Sequence, residues 1–421
     1  SYLEEIYSHI YNMALAYSRS GNPLYQRKRL KKDIIYALDW AYDHVYGENV
    51  KNGTSGNWWY WYIGAPSYLV KTLMLLEPEL NEKQIFKYLE PIDALMNEPS
   101  MTGSNKTDIA YIIIAASALE EDAKRLVFAR DAINNIYQYV DSGDGFYRDG
   151  SFIMHNKVPY IGVYGSILFD SLSNILSVLG NTKFEVTNPM KGNITAWIYD
   201  SVEPFIYKGG MMSMVKGRGP DGGHSTGVSI VNSLLRLLDV VKPEDAKRIK
   251  SMIKYQVTED TLSDYYNGVE INLIGCLNEI MQDTSILPRE NYEIARVYGN
   301  MDRVVQQKDG YALGISMSSE RIYNYESLNA NNMKGWYMGD GMVYLYNDDL
   351  GQYENSYWNN VNRYRMPGVT ADTQQREELS IVGSDAYLSS QDFVGGTDLD
   401  EKYAAAAMQL ESFHSEGGKP T

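Results

Sequence analysis

The sequence predicts an α+β protein with more than one domain, in which a helical part comes first and a β-rich part follows. Three observations support this prediction. The chain has 421 residues, which is more than one ordinary hydrophobic core requires. Apolar residues recur at helical spacing as far as Leu287. After Pro288 the pattern changes to short segments in which apolar and polar residues alternate.

The helical part is predicted from apolar residues three or four positions apart, as on the buried face of an amphipathic helix. The clearest example consists of Leu30, Ile34, Leu38, Ala41 and Val45. Similar apolar stretches follow at residues 68–76, 109–119, 164–179, 226–240 and 272–281. Loops rich in Gly, Asn, Asp and Pro separate them. We therefore expect an α/α assembly in which the loops of one rim build a cleft.

The β-rich part is predicted from short segments such as residues 311–317 and 342–346. These segments alternate, contain several aromatic residues and are separated by Gly or Asn turns, which is typical of antiparallel strands. We expect a helical domain at residues 1–287, a linker at 288–299 and the β-rich domain at 300–421.

The last part of the chain, around residues 392–421, shows no strand pattern that would close the β-rich domain. It ends in Gly417, Gly418 and Pro420. We therefore expect this domain to be truncated there.

The composition excludes several classes of partner. The net charge of −16 argues against nucleic acid or a membrane surface, because both are polyanions that attract basic patches. No apolar run approaches the roughly 18 residues that a membrane-spanning helix needs, so we expect a soluble protein without a membrane partner. The single Cys276 excludes an intramolecular disulfide. To bind an anionic polysaccharide, a protein with this net charge would need a locally basic groove.

A run of five aromatic residues follows Asn57, namely Trp58, Trp59, Tyr60, Trp61 and Tyr62. Five consecutive rings cannot all face a core from one helix or strand, so some must be exposed. Exposed aromatic rings with polar neighbours suit the C–H faces of sugars. The alternative is a helix start in which two rings are buried and the others cover a loop. The sequence leaves both interpretations open.

A second candidate region contains a Gly- and Asp-rich loop at residues 143–152, then His155, Tyr160 and Tyr164 just before a predicted helix. Active-site groups are often held by loops of this kind. A lone histidine is more often structural than catalytic. The polar, Gly-rich surroundings of His155 argue against a buried structural role here.

Six separated segments resemble, in the same order, those of polysaccharide lyase family 8, which contains hyaluronate, chondroitin AC and xanthan lyases. The segments are Asn57-Trp58-Trp59 and residues 102–105, 149–164, 208–218, 301–303 and 325–336. The resemblance covers nearly the whole chain. It implies an incomplete α/α toroid followed by the start of an antiparallel β-sandwich domain, with the first helices of the family absent. It also implies β-elimination without a metal or another cofactor.

The resemblance also implies a role for each candidate residue. Asn105 binds the uronate carboxylate, His155 lies near C5, and Tyr164 acts as general base and acid. The implied catalytic set is Asn105, His155, Tyr164, Arg218 and Glu326. The implied substrate-binding set is Asn57, Trp58, Trp59 and Asn329.

The chemistry explains why these residue types are needed. The C5 proton of a uronate is weakly acidic while the carboxylate beside it is charged, so amide and other donors must stabilise the developing enolate-like charge. A free phenol has a pKa of about 10, so a tyrosine base needs cationic neighbours. After it has taken the C5 proton, the same tyrosine can give a proton to the departing O4.

One segment departs from the family pattern. The family has Gly-Arg followed by Ile-Ser-Arg, whereas here Gly217-Arg218 continues directly into residues 219–224. The second arginine is missing, either because the loop is shortened, so that Arg218 corresponds to either of the two, or because residues are missing from the sequence. His224 is a candidate substitute donor. The favoured alternative is a solvated loop histidine.

The leading hypothesis is a secreted bacterial lyase, a monomer, that cuts a uronate-containing polysaccharide. Its expected partner is an anionic polysaccharide of the hyaluronan or chondroitin type, with xanthan close behind. The alternative is a catalytically weakened or inactive glycan-binding protein of the same fold, and the missing arginine is its best support.

Overall fold

The computed structural model describes residues 2–354, 356–371, 375–378 and 388–411, with only the backbone of Asn52. The predicted truncation at residues 417–420 and parts of the predicted β-rich domain therefore lie outside the described residues. The chain forms two compact units. The first contains residues 1–135 and 182–186, and the second contains residues 136–181 and 187–421.

In its described residues the first unit contains six α-helices. They are α1 (Tyr2–Ser18), α2 (Lys28–His44), α3 (Ala65–Leu76), α4 (Glu82–Leu95), α5 (Gly103–Leu119) and α6 (Ala123–Ala132). The apolar stripe predicted on α2 faces the core, where Ile34, Leu38 and Ala41 are buried. Helix α4 begins with a capping box between Asn81 and Gln84, which satisfies two backbone N–H groups. The helical prediction is confirmed for this unit.

The second unit contains the remaining described helices. They are α7 (Ser166–Leu179), α8 (Asn193–Trp197), α9 (Gly223–Leu237), α10 (Pro243–Glu259), α11 (Tyr265–Gly268), α12 (Ile274–Gln282) and α13 (Tyr357–Asn360). Helices α7 and α9 pack closely against each other and bury most of their residues. Two π-helical turns occur here, Ile161–Gly165 directly before α7 and Ile198–Val202 directly after α8.

The strands of the second unit form four antiparallel sheets within the described residues. Their strands are β1 (Gly145–Phe146), β2 (Phe152–Met154) and β3 (Val158–Pro159); β4 (Ile206–Tyr207) and β5 (Gly210–Met211); β6 (Ile294–Tyr298), β7 (Arg303–Lys308), β8 (Tyr311–Met317) and β9 (Asp340–Tyr346); and β10 (Val394–Leu399) and β11 (Tyr403–Met408). The predicted alternating segments coincide with β8 and β9, so helices followed by antiparallel strands are confirmed.

Two details differ from the sequence-based expectation. Strand β6 begins at Ile294, inside the range 288–299 that we expected to be a linker. The short strands β1 to β5 lie within the part expected to contain only helices and loops, because strands of two or three residues are too short for a detectable alternation. The domain boundaries and the toroid arrangement stay predictions.

One helical stretch corrects the expectation about apolar runs. Ile161–Leu179 is long and apolar enough to cross a membrane. Ser, Asp and Asn residues interrupt the stretch, so it does not stand out as a continuous apolar run in the sequence. Of the stretch, 56% is buried inside the structure, as is common for the core helix of a globular protein.

Candidate active site

Short, tightly folded segments of the second unit hold His155 and Tyr164. His155 and Asn156 form the turn between β2 and β3 and both have positive φ, 53° and 67°. Such values are uncommon outside glycine and are typical of tight turns and of functional sites. Tyr164 lies in the π-helical turn Ile161–Gly165, a feature that is frequent at functional sites.

The carboxylate of Glu326 joins three side chains of the candidate site. Its Oε1 lies 2.5 Å from Nδ1 of His155, and its Oε2 accepts hydrogen bonds from the hydroxyl of Tyr160 and, at 3.2 Å, from Nη1 of Arg218. Glu326 is only 2% exposed, so these bonds replace its hydration. An ionised carboxylate has no proton to give, so Nδ1 of His155 carries the proton of their bond.

Arg218 connects Glu326 with the candidate base. Its Nη2 donates to the hydroxyl of Tyr164 at 3.2 Å, and its Nη1 donates to Tyr160 at 3.3 Å as well as to Glu326. Tyr164 is half-buried, whereas Tyr160 is fully buried. The hydroxyl of Tyr164 thus has a cationic hydrogen-bond partner.

The three rings of the site pack edge to face. The ring centroids of His155 and Tyr164 are 4.9 Å apart, and those of Tyr160 and Tyr164 are 4.8 Å apart with an interplanar angle of 83°. Such pairs contribute about 0.5–1.5 kcal/mol each beyond the area they bury. The packing holds the ring of Tyr164 between its two neighbours, which limits the positions of its hydroxyl group.

The charges of the site reinforce one another. Burial alone would raise the pKa of Glu326, but the bonds from His155 and Tyr160 and the charge of Arg218 lower it below its usual value. Burial and the charge of Glu326 raise the pKa of Tyr160. Burial opposes the charge of Arg218, but Tyr160, Glu326 and Tyr164 outweigh it and raise the pKa of the guanidinium. Glu326 is therefore an anion, Arg218 a cation and Tyr160 a neutral phenol near pH 7.

Two side chains hold the loop at residues 217–222 that contains Arg218. The buried Nζ of Lys216 donates to the carbonyl of Gly222 at 3.1 Å and to Oγ1 of Thr226 at 2.5 Å. The carboxylate of Glu354 accepts the backbone N–H groups of Gly222 at 3.0 Å, Gly223 at 2.7 Å and His224 at 3.2 Å. In the described part of the chain, Arg218 is the only lysine or arginine that contacts Tyr164 or Glu326.

His224 corrects a sequence-based expectation. It is buried, its Nδ1 lies 2.9 Å from Oδ1 of Asp260, and its Nε2 lies 3.3 Å from the carbonyl oxygen of Leu350. It is therefore not a solvated loop histidine. Within the described residues His224 contacts neither Tyr164 nor Glu326, so it does not take the place of the second arginine. Its contact with Asp260, which is far away in the sequence, could not be predicted from the local pattern.

The aromatic run belongs to the first unit. None of its five rings is fully buried, and Trp58 is the most exposed at 38%, so the alternative with two buried rings is not found. Asn57 accepts the backbone N–H of Trp59 at 3.0 Å. The π-helical turn Tyr60–Gly64 follows, and the ring of Trp59 packs so closely on Gly64 that a Cβ there would lie 2.7 Å from it. The hydrogen bond to Asn57 and the close contact with Gly64 thus fix the position of the Trp59 ring.

Two further predicted residues, Asn105 and Asn329, belong to different units. Asn105 belongs to the first unit, half-buried in the first turn of α5. Asn329 belongs to the second unit and lies exposed in a turn between Leu328 and Asn331, with φ of 53°. No described contact joins Asn329 to Glu326 or Arg218.

The structure thus brings together His155, Tyr164, Arg218 and Glu326 and adds Tyr160, for which the sequence predicted no role. The only signal for Tyr160 was its place in the segment between His155 and Tyr164. Among the described residues, no three His, Cys, Asp or Glu side chains converge in a way that could hold a metal ion.

Comparison with known proteins gives consistent matches along the chain. Residues 1–255 match the model for "Polysaccharide lyase family 8, N terminal alpha-helical domain", and residues 293–419 match "Polysaccharide lyase family 8, super-sandwich domain". Together these matches cover both the helical and the β-rich part.

Individual relatives are similar to the chain over most of its length. The xanthan lyase of Bacillus sp. (strain GL1) is 36% identical over 371 residues, which are 87% of this chain and 40% of that protein. The hyaluronate lyase of Staphylococcus aureus (strain NCTC 8325 / PS 47) is 32% identical over 423 residues, covering 91% and 52%. The solved chondroitin AC lyase of Streptomyces coelicolor A3, in complex with chondroitin sulphate, matches with a TM-score of 0.92 and 26% identity over 97% of this chain and 58% of that one. The chain spans about half the length of these relatives.

Proposed function

Because the chain belongs to polysaccharide lyase family 8, we propose that it cleaves a uronate-containing anionic polysaccharide by β-elimination, with Tyr164 as general base and acid. The observation that best supports this is the 3.2 Å hydrogen bond from Nη2 of Arg218 to the hydroxyl of Tyr164. It gives a half-buried phenol a cationic partner, and a phenol needs such a partner to act as a base near pH 7.

The reaction uses one residue twice. Tyr164, as phenolate, takes the C5 proton of the uronate. The electron pair of the C5–H bond forms the C4–C5 double bond, and the bond from C4 to the bridging oxygen breaks. Tyr164 then gives the proton to that oxygen. The products are a new chain end with a free hydroxyl group and a 4,5-unsaturated uronate at the other new end.

The neighbours of Tyr164 serve this step in different ways. Arg218 stabilises the phenolate, and Glu326 holds both Arg218 and His155 in place. His155, held by Glu326 through Nδ1, is the proposed neighbour of the substrate at C5. Asn105 is the proposed partner of the uronate carboxylate. Asn57, Trp58, Trp59 and Asn329 are the proposed substrate-binding residues.

The substrate we favour is a glycosaminoglycan of the hyaluronan or chondroitin type, with xanthan as the close second. The similar proteins include a xanthan lyase, a hyaluronate lyase and a chondroitin AC lyase, which supports these three candidates. We propose that the protein acts outside a bacterial cell. The bacterial origin of those relatives supports this, as does the size of such polymers, which prevents them from crossing a membrane.

The test is a direct assay on the three polymers. The purified protein is incubated with hyaluronan, chondroitin and xanthan, and the ultraviolet absorbance of the unsaturated product is followed. A rise on at least one polymer, absent in Tyr164→Phe, is the expected result. Binding without any rise on the three polymers would overturn the lyase proposal and favour the glycan-binding alternative.

A further inference from the structure

Tyr160 has all of its hydrogen-bonding capacity engaged by the site. A phenol hydroxyl has one proton to donate and two lone pairs that accept. Tyr160 donates to Oε2 of Glu326 and accepts from the backbone N of Arg218 at 3.2 Å and from its Nη1 at 3.3 Å. Its side chain is completely buried. Tyr160 therefore has neither a free lone pair nor access to a substrate.

Tyr164 differs from Tyr160 in each of these respects. It is half-buried, and among the residues that the structure describes only Arg218 forms a hydrogen bond with its hydroxyl. A hydroxyl with spare capacity can exchange a proton with a substrate, whereas a saturated one can only hold its partners. The two tyrosines, four residues apart, therefore suit different tasks.

The backbone of Tyr160 joins the segments that hold the other groups. Its N–H donates to the carbonyl of Phe152 on β2, the strand that leads to His155. Its carbonyl accepts the N–H of Gly165 at 2.9 Å, at the end of the π-helical turn that contains Tyr164. Tyr160 thus contacts the supports of both His155 and Tyr164, while its hydroxyl reaches Glu326 and Arg218.

The ring of Tyr160 is fixed by close contacts as well. A Cβ at Gly217 would lie 2.1 Å from the ring, so the loop beside Arg218 passes directly over the ring and tolerates no side chain there. Gly217 also has φ of 53°, a conformation that glycine adopts without cost. The loop and the ring therefore determine each other's position.

From these contacts, and resting on the lyase function proposed above, we propose that Tyr160 is a positioning residue that orients the Arg218 guanidinium toward Tyr164. Without its hydroxyl, Nη1 of Arg218 would have Glu326 as its one remaining side-chain partner. The guanidinium would then turn toward that carboxylate and away from Tyr164. The base would lose part of its cationic support, although no substrate contact would be removed.

The test compares Tyr160→Phe with the wild-type chain on the polymer that is cleaved. We expect kcat to fall about 10- to 100-fold, since a hydrogen bond between a neutral and a charged group contributes roughly that much, and KM to stay nearly the same. We also expect the rising limb of the pH–rate profile to move to higher pH. A merely structural role would not move that limb.

The matched control is Tyr137→Phe. Tyr137 is also fully buried in the second unit, but its hydroxyl has no partner within the described residues. Its removal should leave kcat and the pH profile unchanged. Phe occupies nearly the volume of Tyr, so both variants should melt within a few degrees of the wild type.

A double-mutant cycle with Arg218→Lys shows whether Tyr160 acts through Arg218. If it does, Tyr160→Phe costs much less kcat in the Arg218→Lys background than in the wild type. Additive losses, or a Tyr160→Phe variant with wild-type kcat and pH profile, would overturn the inference. An inactive wild-type chain would instead refute the proposed function, so the two failures are distinguishable.

Discussion

Nδ1 of His155 lies 2.5 Å from Oε1 of Glu326, although 171 positions separate the two residues in the sequence. Glu326 lies in the segment between β8 and β9, and His155 lies in the turn between two short strands near the start of the second unit. The candidate site therefore forms only when segments from both the helical and the β-rich part of the sequence have folded together.

Replacement of Tyr164 by Phe should remove the proposed base and leave the shape of the site intact. We expect kcat to fall by at least two to three orders of magnitude, because general acid–base catalysis contributes about that much. Binding of the polymer should change little, since the aromatic ring remains. Initial rates from ultraviolet absorbance and a binding isotherm measured with the same polymer check both parts. Retained turnover would refute the assignment.

Replacement of Arg218 by Lys should be nearly as damaging, although the charge is kept. A lysine is a single point charge and cannot contact Tyr164, Tyr160 and Glu326 together, as the planar guanidinium does. We expect kcat to fall about 100-fold. Arg236→Lys, at a guanidinium between Asp170 and Glu270, serves as the matched control and should keep its turnover. Equal kcat values in wild type and Arg218→Lys would contradict this role.

Glu326 should make the stability of the protein depend on pH. Its pKa in the folded chain lies below the usual 4.5, so its stabilising contribution is fully present above about pH 4.5 and is lost as the pH falls through the folded pKa. In Glu326→Gln this part of the pH dependence should disappear. Urea unfolding between about pH 7 and about pH 3 measures it. If the free energy of unfolding changes equally with pH in the wild type and in Glu326→Gln, the carboxylate of Glu326 does not contribute to stability.

Lys216 should also make stability rise with pH, but at alkaline pH and because its charge destabilises the folded chain. Burial lowers the pKa of Lys216 from 10.5 to about 8. This shift corresponds to a destabilisation of the folded state by about 3 kcal/mol while the lysine is charged. Between about pH 8 and about pH 10, Lys216 is protonated in the unfolded chain but largely neutral in the folded chain. The free energy of unfolding therefore rises with pH over this range. In Lys216→Met the rise in stability should vanish, whereas Lys308→Met at an exposed position should keep it. Free energies of unfolding of the three proteins, measured at several alkaline pH values, test this prediction.

The parts of the fold with long patterns were predictable from sequence. The stripe of Ile34, Leu38 and Ala41 and the alternation along β8 both extend over several residues, so periodicity alone identifies them. Strand β2, which leads to His155, has three residues and no such pattern. Its pairing with β3 depends on contacts that a local window does not contain.

The predictability of the site varied from residue to residue for a similar reason. Glu326 was found only through the resemblance of its segment to a family, since nothing in its local sequence indicates burial beside His155. The role of Tyr160 depends on three hydrogen bonds to distant residues, and spacing does not reveal them. His224 was misjudged because a Gly-rich loop indicates solvent, whereas Asp260 covers it. Local sequence patterns do not reveal burial that results from contacts with residues far away in the sequence.

The backbone amides at the start of α9 bind the carboxylate of Glu354, which lies 131 positions beyond Gly223. A ribosome makes the chain from its amino terminus, so α9 leaves the exit tunnel long before this acid has been synthesised. Until then its first turn has unpaired donors, and only Lys216 holds the neighbouring loop of Arg218. Under the proposed function, a chain released before Glu354 should therefore lack lyase activity, because the loop of Arg218 is incompletely anchored.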